Sequence, residues 1–234
     1  MNGYLKHIGK LGLDESTYVF FISDNGPWWK EKTHGGSALP LRSAKTSTWE
    51  GGLRVPCVVR APGRVPKGIE CKQLACTMDI LPTLTAISGG ATPTDRVIDG
   101  QNISDLLHGK GNNEAKERTF YYYQHTHLQA VRHGIWKLHL ARPAEAPWSP
   151  RWASHIAPED VFEIKNPLLF DLENDIAEQR NVAAVNPEVV EKLLGLAAWA
   201  QNDIGDYDLA GENARFFDPQ PRRPDAAKWQ TSGF

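Results

Sequence analysis

The sequence lacks most of the features that would place it at a glance. Only three of its 234 residues are cysteine: Cys57, Cys71 and Cys76. An odd, low count builds no disulfide framework, and none of the three stands in a C-x-x-C, which argues against a zinc site. Cys71 and Cys76 are close enough in sequence to pair, and they read equally well as buried free thiols. There is no excess of one charge: 26 Lys+Arg against 28 Asp+Glu leave a net charge of −2. A nucleic-acid binder would carry a basic field, so that class is disfavoured. No apolar run approaches the roughly 18 residues of a membrane span. The opening MNGYLKHIGKLGLDES has no apolar core of the kind found in a signal peptide.

Aromatic residues, in contrast, are plentiful, with eight Trp, eight Phe and six Tyr. That supplies much apolar surface to bury and excludes low-complexity disorder. The length suits one large domain, or one domain with a smaller lobe. Tyr4, Leu5, Ile8 and Leu11 are spaced like the end of an amphipathic helix, so the chain is expected to begin inside a domain.

Residues 18–23, YVFFIS, form a short continuous apolar run, the pattern of a strand buried on both faces in a parallel sheet. Asp24-Asn25-Gly26-Pro27 ends it with turn residues. Residues 27–52 then carry Gly and Pro out of any helical period, predicting a long ordered loop, and such loops tend to be functional. A second strand is expected at 53–60, a helix at 76–88 ending at Gly89-Gly90, and a short helix at 102–108. From about residue 118 the pattern changes. TFYYYQ (119–124), LQAVRHGIWKLHL (128–140, with Gly134 as a turn or bulge) and LLFDL (168–172) predict strands. Residues 143–167 are Pro-rich and irregular. Asn186-Pro187 starts a helix, with Asn186 as N-cap and Pro at its first position. The last 25 or so residues are polar. The expected organisation is an α/β part over 1–117 and an antiparallel part capped by one helix over 118–234.

Several residues in this framework could carry chemistry. Asp24 and Asn25 sit at the carboxyl end of a strand, where ligands gather in α/β sheets. They offer two hard oxygen donors suited to Ca²⁺ or Mg²⁺, although D-N-G is also simply a turn. Lys45 lies in RSAKTSTWEGG, a loop with hydroxyls and glycines that resembles an anion cradle. A nucleotide P-loop is excluded, because the two glycine positions that Walker A demands are Ala44 and Leu39. Glu50 and Arg54, four apart around Gly51-Gly52, could pair and fix the loop. His34 could face a substrate or solvent. His125, His127, His133 and His139 suggest a cluster, but no carboxylate stands at a familiar metal-ligand spacing. Trp28 and Trp29, with Trp148 and Trp152, could wall a sugar or aryl group.

Taken in order, FFISDNGPWW, GGSALPLRSAKTSTWEGGLRVPCVVRAPGRVPKG, TMDILPTL, IDGQNISDLLHGK, HGIWKLHL and LLFDLENDIAEQRNVA resemble the sulfatase family, in its arylsulfatase A-like branch, over roughly residues 10–202. The resemblance implies an alkaline-phosphatase-like α/β fold, of which this chain would be the C-terminal part, followed by a small antiparallel sheet capped by a helix. It implies that Asp24 and Asn25 are two calcium ligands, that Lys45 contacts the sulfate, and that the complete protein is a calcium-dependent sulfuric ester hydrolase. The substrate would be an aryl or carbohydrate sulfate ester. Family members use a formylglycine made from Cys or Ser in C/S-x-P-x-R. That motif is absent here, and the aspartate pair that completes the calcium site normally lies upstream of Asp24. This chain alone is therefore expected to be inactive, to bind calcium weakly and to leave an apolar edge exposed. A periplasmic or secreted location is expected of the full-length protein. A non-catalytic binding module, or part of a related phosphatase or phosphodiesterase, is the alternative. Oligomeric state is not legible.

Overall fold

The computed structural model describes residues 2–110, 118–144 and 162–214. Helix α1 (Asn2–Lys10) leads through a short 3₁₀ turn, Asp14–Ser16, into β1 (Val19–Ile22). A long loop follows, holding one 3₁₀ segment, Trp29–His34. It ends in the single turn α2 (Glu50–Leu53), and β2 (Cys57–Arg60) comes next. β1 and β2 pair antiparallel, from Val19↔Arg60 to Ile22↔Cys57.

The run at 18–23 is therefore a strand, but not the doubly buried parallel strand that its composition predicts. A two-stranded ribbon has too little sheet to bury both its faces. Phe21 is 53% exposed and its cross-strand partner Val58 59% exposed. The apolar exposure expected on this edge is present.

The apolar segment at 76–88 starts as a 3₁₀ turn, Thr77–Asp79, and continues as α3 (Ile80–Ile87). It stops where Gly89 takes φ +79°, a conformation open to glycine. α4 (Ser104–Leu107) is the short helix expected near 102–108.

The second part is a four-stranded antiparallel sheet in sequence order. Its strands are β3 (Thr119–Gln124), β4 (His127–His133), β5 (Trp136–His139) and β6 (Leu168–Asp171). Gly134, at φ +58°, makes the turn between β4 and β5. The irregularity lies elsewhere, between Tyr122 and Tyr123 of β3, where the register with β4 shifts. α5 (Pro187–Asp203) covers one face of this sheet. Leu193, Ala197 and Ala200, at helical spacing, pack with Leu128, Val131, Leu138, Leu140 and Leu169. A small ribbon, β7 (Gly205–Asp206) with β8 (Leu209–Ala210), follows.

Pro187 takes the first position of α5 and Asn186 the N-cap position, as predicted, but Asn186 makes no side-chain capping hydrogen bond to the helix. Its side-chain amide instead donates to the Val182 carbonyl at 3.0 Å, closing the preceding 3₁₀ turn. The polar tail and the Trp148 and Trp152 region lie outside the described residues.

Candidate functional site

Two segments that carry candidate chemistry are fastened to each other through backbone. The turn after β1 is closed by the Ser23 hydroxyl donating to the Asn25 carbonyl at 2.9 Å. The Gly26 N–H then donates to the Gly52 carbonyl at 3.1 Å, and the Lys45 N–H donates to the Pro27 carbonyl at 2.9 Å. At this crossing the chains touch main chain to main chain. A Cβ on Gly26 would sit 1.9 Å from the Gly51 carbonyl oxygen, so only glycine fits. The Asp24-Asn25 turn is thus stitched to both arms of the Lys45 loop. Asp24 is exposed, and Asn25 and Lys45 are half-buried. The Lys45 ammonium lies 5.3 Å from the centre of the Trp28 ring, within cation–π range. His34 ends the 3₁₀ segment exposed, and no described contact draws it toward Lys45.

The loop around Lys45 is strained. Ser43 (φ +66°) and Thr46 (φ +77°) both occupy the left-handed region that side chains avoid. Each such residue costs about 1–3 kcal/mol and persists only where its surroundings impose it. Those surroundings come from the antiparallel sheet. The Gln124 side-chain amide donates to the Thr46 carbonyl at 3.0 Å, and the Thr48 hydroxyl bonds Gln129 at 2.9 Å. Trp49 is buried between the Arg42 guanidinium, 3.6 Å from its ring centre, and the stacked His139 ring at 3.8 Å.

Beneath Trp49 lies a buried charge network. Arg54 reaches Glu50 only at 3.9 Å, so the expected Glu50–Arg54 pair is the loosest of the contacts Glu50 makes. The nearer partners come from the sheet: Lys137 at 3.0 Å, Arg132 at 3.1 Å and the Tyr122 hydroxyl, which donates at 3.2 Å. Lys137 also meets Glu178 at 3.0 Å, and Glu178 accepts the backbone N–H of Glu50 at 2.7 Å. His139 lies 3.0 Å from Glu178 through Nε2. Burial, reinforced by the positive charge of Lys137, Arg142 and Arg42, pushes the His139 pKa well below its ordinary value. The imidazole is neutral, Nε2 donates to Glu178, and Nδ1 remains a buried acceptor without a partner. Burial first, and then the Glu50 charge, raise the Tyr122 hydroxyl far above the ordinary tyrosine range, so it stays a donor.

A second ionic link joins the two parts. Asp79, fully buried at the start of α3, receives both nitrogens of the Arg118 fork at 2.6 Å, with backbone N–H groups of Cys76 and Gln101 at 2.8 Å. Burial alone would raise its pKa. The Arg118 fork and the backbone donors outweigh it and hold the carboxyl below its usual value.

The histidine cluster does not form. His127 bonds Asp206, His133 bonds Thr119, His139 bonds Glu178, and His125 sits in a turn at φ +54°. Alternate residues do share a strand face, but the rings of His127, His133 and His139 bond three different partners. Cys71 and Cys76 are both free thiols, as is Cys57. Among the described residues no group of three or more His, Cys, Asp or Glu side chains could hold a metal ion. No described helix is long and apolar enough to cross a membrane.

Sequence reasoning singled out Glu50 but missed Lys137, Glu178 and Arg132. One signal was available: in IWKLHL, Lys137 and His139 fall on one face of a strand whose other residues are mostly apolar. Charges at such positions are either exposed at an edge or paired inside, and β5 is an interior strand.

Solved sulfatases, which are alkaline-phosphatase-like α/β proteins, share the described fold. The sulfatase family model matches residues 3–90, and the model for the C-terminal region of aryl-sulfatase matches residues 115–214. The chain belongs to the sulfatase family. It is 36% identical to the steryl-sulfatase of Mus musculus over 75% of this chain and 30% of that protein. It is 36% identical to human arylsulfatase A over 80% of this chain and 38% of that one. Its fold superposes on the PsFucS1 sulfatase from Pseudoalteromonas sp. with a TM-score of 0.74 at 21% identity, covering 89% of this chain and 41% of that one. The chain thus spans between three-tenths and two-fifths of the length of these relatives.

Proposed function

We propose that this chain forms the sulfate-recognition part of a sulfuric ester hydrolase, with Lys45 as the group that contacts the sulfate and Asp24 and Asn25 as oxygen donors toward a calcium ion. The observation that carries the reading is the backbone stitching of the Asp24-Asn25 turn to the Lys45 loop. It fastens the backbone of the turn that carries two oxygen donors to the backbone of Lys45 at the end of a strand. A sulfate ester spreads negative charge over its oxygens, and more builds on the leaving oxygen as the S–O bond breaks. An ammonium group held in place stabilises that charge without reorganising. The stitching and the Trp28 ring restrict where the Lys45 side chain can reach.

The calcium assignment fits in kind but not in number. A carboxylate and an amide oxygen suit a hard cation, yet calcium takes roughly six to eight oxygen donors. Among the described residues no group of three or more His, Cys, Asp or Glu side chains could hold a metal ion, and Asp24 and Asn25 supply only two donors. The donors described here do not hold the ion by themselves, so the chemistry assigned to this chain runs through Lys45. The sequence also contains no C/S-x-P-x-R from which a formylglycine nucleophile could form. The chain by itself is therefore proposed to recognise a sulfate ester, aryl or carbohydrate, without cleaving it. His34 is proposed to flank the ester from the exposed side of the loop. The corresponding full-length enzyme is proposed to work in the periplasm or outside the cell.

Amine-selective labelling of the purified chain, read by mass spectrometry, tests this. An aryl sulfate with calcium present should protect Lys45 while leaving Lys30 and Lys32 labelled, and no phenol should be released. Equal labelling of Lys45 with and without the ester would sink the assignment. Release of phenol would overturn the claim that this chain does not cleave the ester.

A further inference from the structure

We infer that Lys137 is the positioning residue of the Lys45 loop: a buried cation shared by two carboxylates, it fixes α2 and the loop before it onto the antiparallel sheet. The inference rests on the reading of Lys45 as the sulfate-contacting group, but it concerns the order of the loop and can fail independently.

The geometry makes Lys137 the hub. Its ammonium touches Glu50 and Glu178, each at 3.0 Å, and all three side chains are shut off from solvent. Glu50 begins α2, and Glu178 accepts the Glu50 backbone N–H at 2.7 Å. One cation on β5 therefore binds the loop twice: directly through Glu50, and through Glu178 to the backbone of the same residue. The Arg42 guanidinium, at the loop's other end, donates to the Glu178 carbonyl at 3.1 Å, so Glu178 grips both ends. Ser43 and Thr46 hold their positive φ between these two anchors.

Charge in the pocket is balanced. Glu50 faces Lys137 and Arg132, with Arg54 at the rim and the Tyr122 hydroxyl as a neutral donor. Glu178 faces Lys137 and the neutral His139, with Arg42 and Arg142 adding positive potential around that ring. Two carboxylates thus meet two close cations. If Lys137 is removed, Arg132 still neutralises Glu50, but Glu178 loses the cation 3.0 Å from its carboxylate and stays buried. Adding one proton, to Glu178 or to His139, restores the balance.

Hydrogen exchange of the full chain, read by mass spectrometry on peptides covering 42–53 and β3–β6, tests the assignment. In Lys137→Met, exchange over 42–53 should rise about two-hundredfold to five-thousandfold at neutral pH, the scale set by breaking one partner out of a buried pair, while β4 and β5 stay protected. Acidification should raise the protection factor of 42–53 again once the intrinsic slowing of exchange in acid is divided out, which a simple packing defect would not do. Lys137→Met combined with Glu178→Gln should regain protection at neutral pH. If Lys137→Met does not fold, the double variant must still fold with 42–53 protected. Unchanged loop exchange, an equal rise across the whole sheet, or a double variant no better than the single one would overturn the inference.

Discussion

The two parts of this molecule are built on opposite economies. The antiparallel part buries a continuous apolar core: Leu128, Val131, Leu138, Leu169 and Leu193 are almost wholly enclosed between the sheet and α5. The first part, which carries the candidate site, buries little of its own apolar surface. Phe21 and Val58 face solvent, as do Leu53, Met78, Leu81 and Leu84. Its buried residues are disproportionately polar or charged, such as Ser47, Thr48, Glu50 and Asp79, and several of them bond groups across the junction. The site is therefore held in shape by ionic and hydrogen-bonded pins driven into a neighbouring hydrophobic body. Pins are directional, so they can hold a strained loop that non-directional burial would let relax.

The largest effect should come from pulling the pin that is most isolated. Asp79 has a single cationic partner, and Arg118→Ala leaves it buried with only two backbone donors. Breaking a buried pair in this way costs about 3–5 kcal/mol. The expected outcome is detachment of α3 and α4, seen as rapid proteolysis within 76–108, while β4, β5 and α5 stay resistant. Loss of the whole chain's resistance at once would mean that the two parts unfold as one and that the contrast drawn here is wrong.

That division also explains what could be read from the sequence. Elements built by local rules were legible: α5 from its apolar spacing, the β4–β5 turn from Gly134, and the end of α3 at Gly89. The Asp24-Asn25 turn and the Lys45 loop were legible as separate candidates, because turn residues and glycines announce themselves. What was hidden is non-local. Glu50 and Arg54 look like a pair because they stand four apart, yet Glu50 bonds Lys137, some 90 residues onward, at shorter range. Asn186 holds the cap position, yet its side chain bonds the preceding turn at Val182 and not the helix. The run YVFFIS has the composition of a doubly buried strand. Its environment depends on which strands lie beside it, and among the described residues only β2 does.

A smaller effect separates the parts by pH. His139 is neutral because burial, and next the Lys137 charge, lower its pKa well below the ordinary value. In the unfolded chain it titrates near about 6.5. Below that pH the unfolded state takes up a proton that the folded state refuses, so stability declines as the pH falls, by at most about 1.4 kcal/mol per pH unit for one group. Above it, this contribution is fully present. Urea unfolding of the antiparallel part should show this slope between pH 6.5 and 5, and His139→Gln should flatten it. Asp79 acts in a separate window: its lowered pKa makes the Arg118 pin weaken only below the ordinary carboxylate range, near about pH 3.9. A slope that persists in His139→Gln would assign the effect to another group.

The smallest effect on stability should come from the exposed face of β1, and it tests the comparison most directly. Phe21 contributes little to the fold of this chain, because more than half of its surface already meets water. Phe21→Ser should change unfolding free energy by no more than about 0.5 kcal/mol, as substitutions away from buried features do. Its effect should appear in association instead. The Phe21–Val58 face is a flat apolar patch on a two-stranded ribbon with open edges, the kind of surface on which chains stack. Light scattering of the purified chain should show concentration-dependent self-association, and Phe21→Ser with Val58→Thr should suppress it while leaving the melting of the antiparallel part in place. If the double variant destabilises the fold by several kcal/mol, β1 is packed more like β5 than its exposure says. The two parts would then share one economy after all.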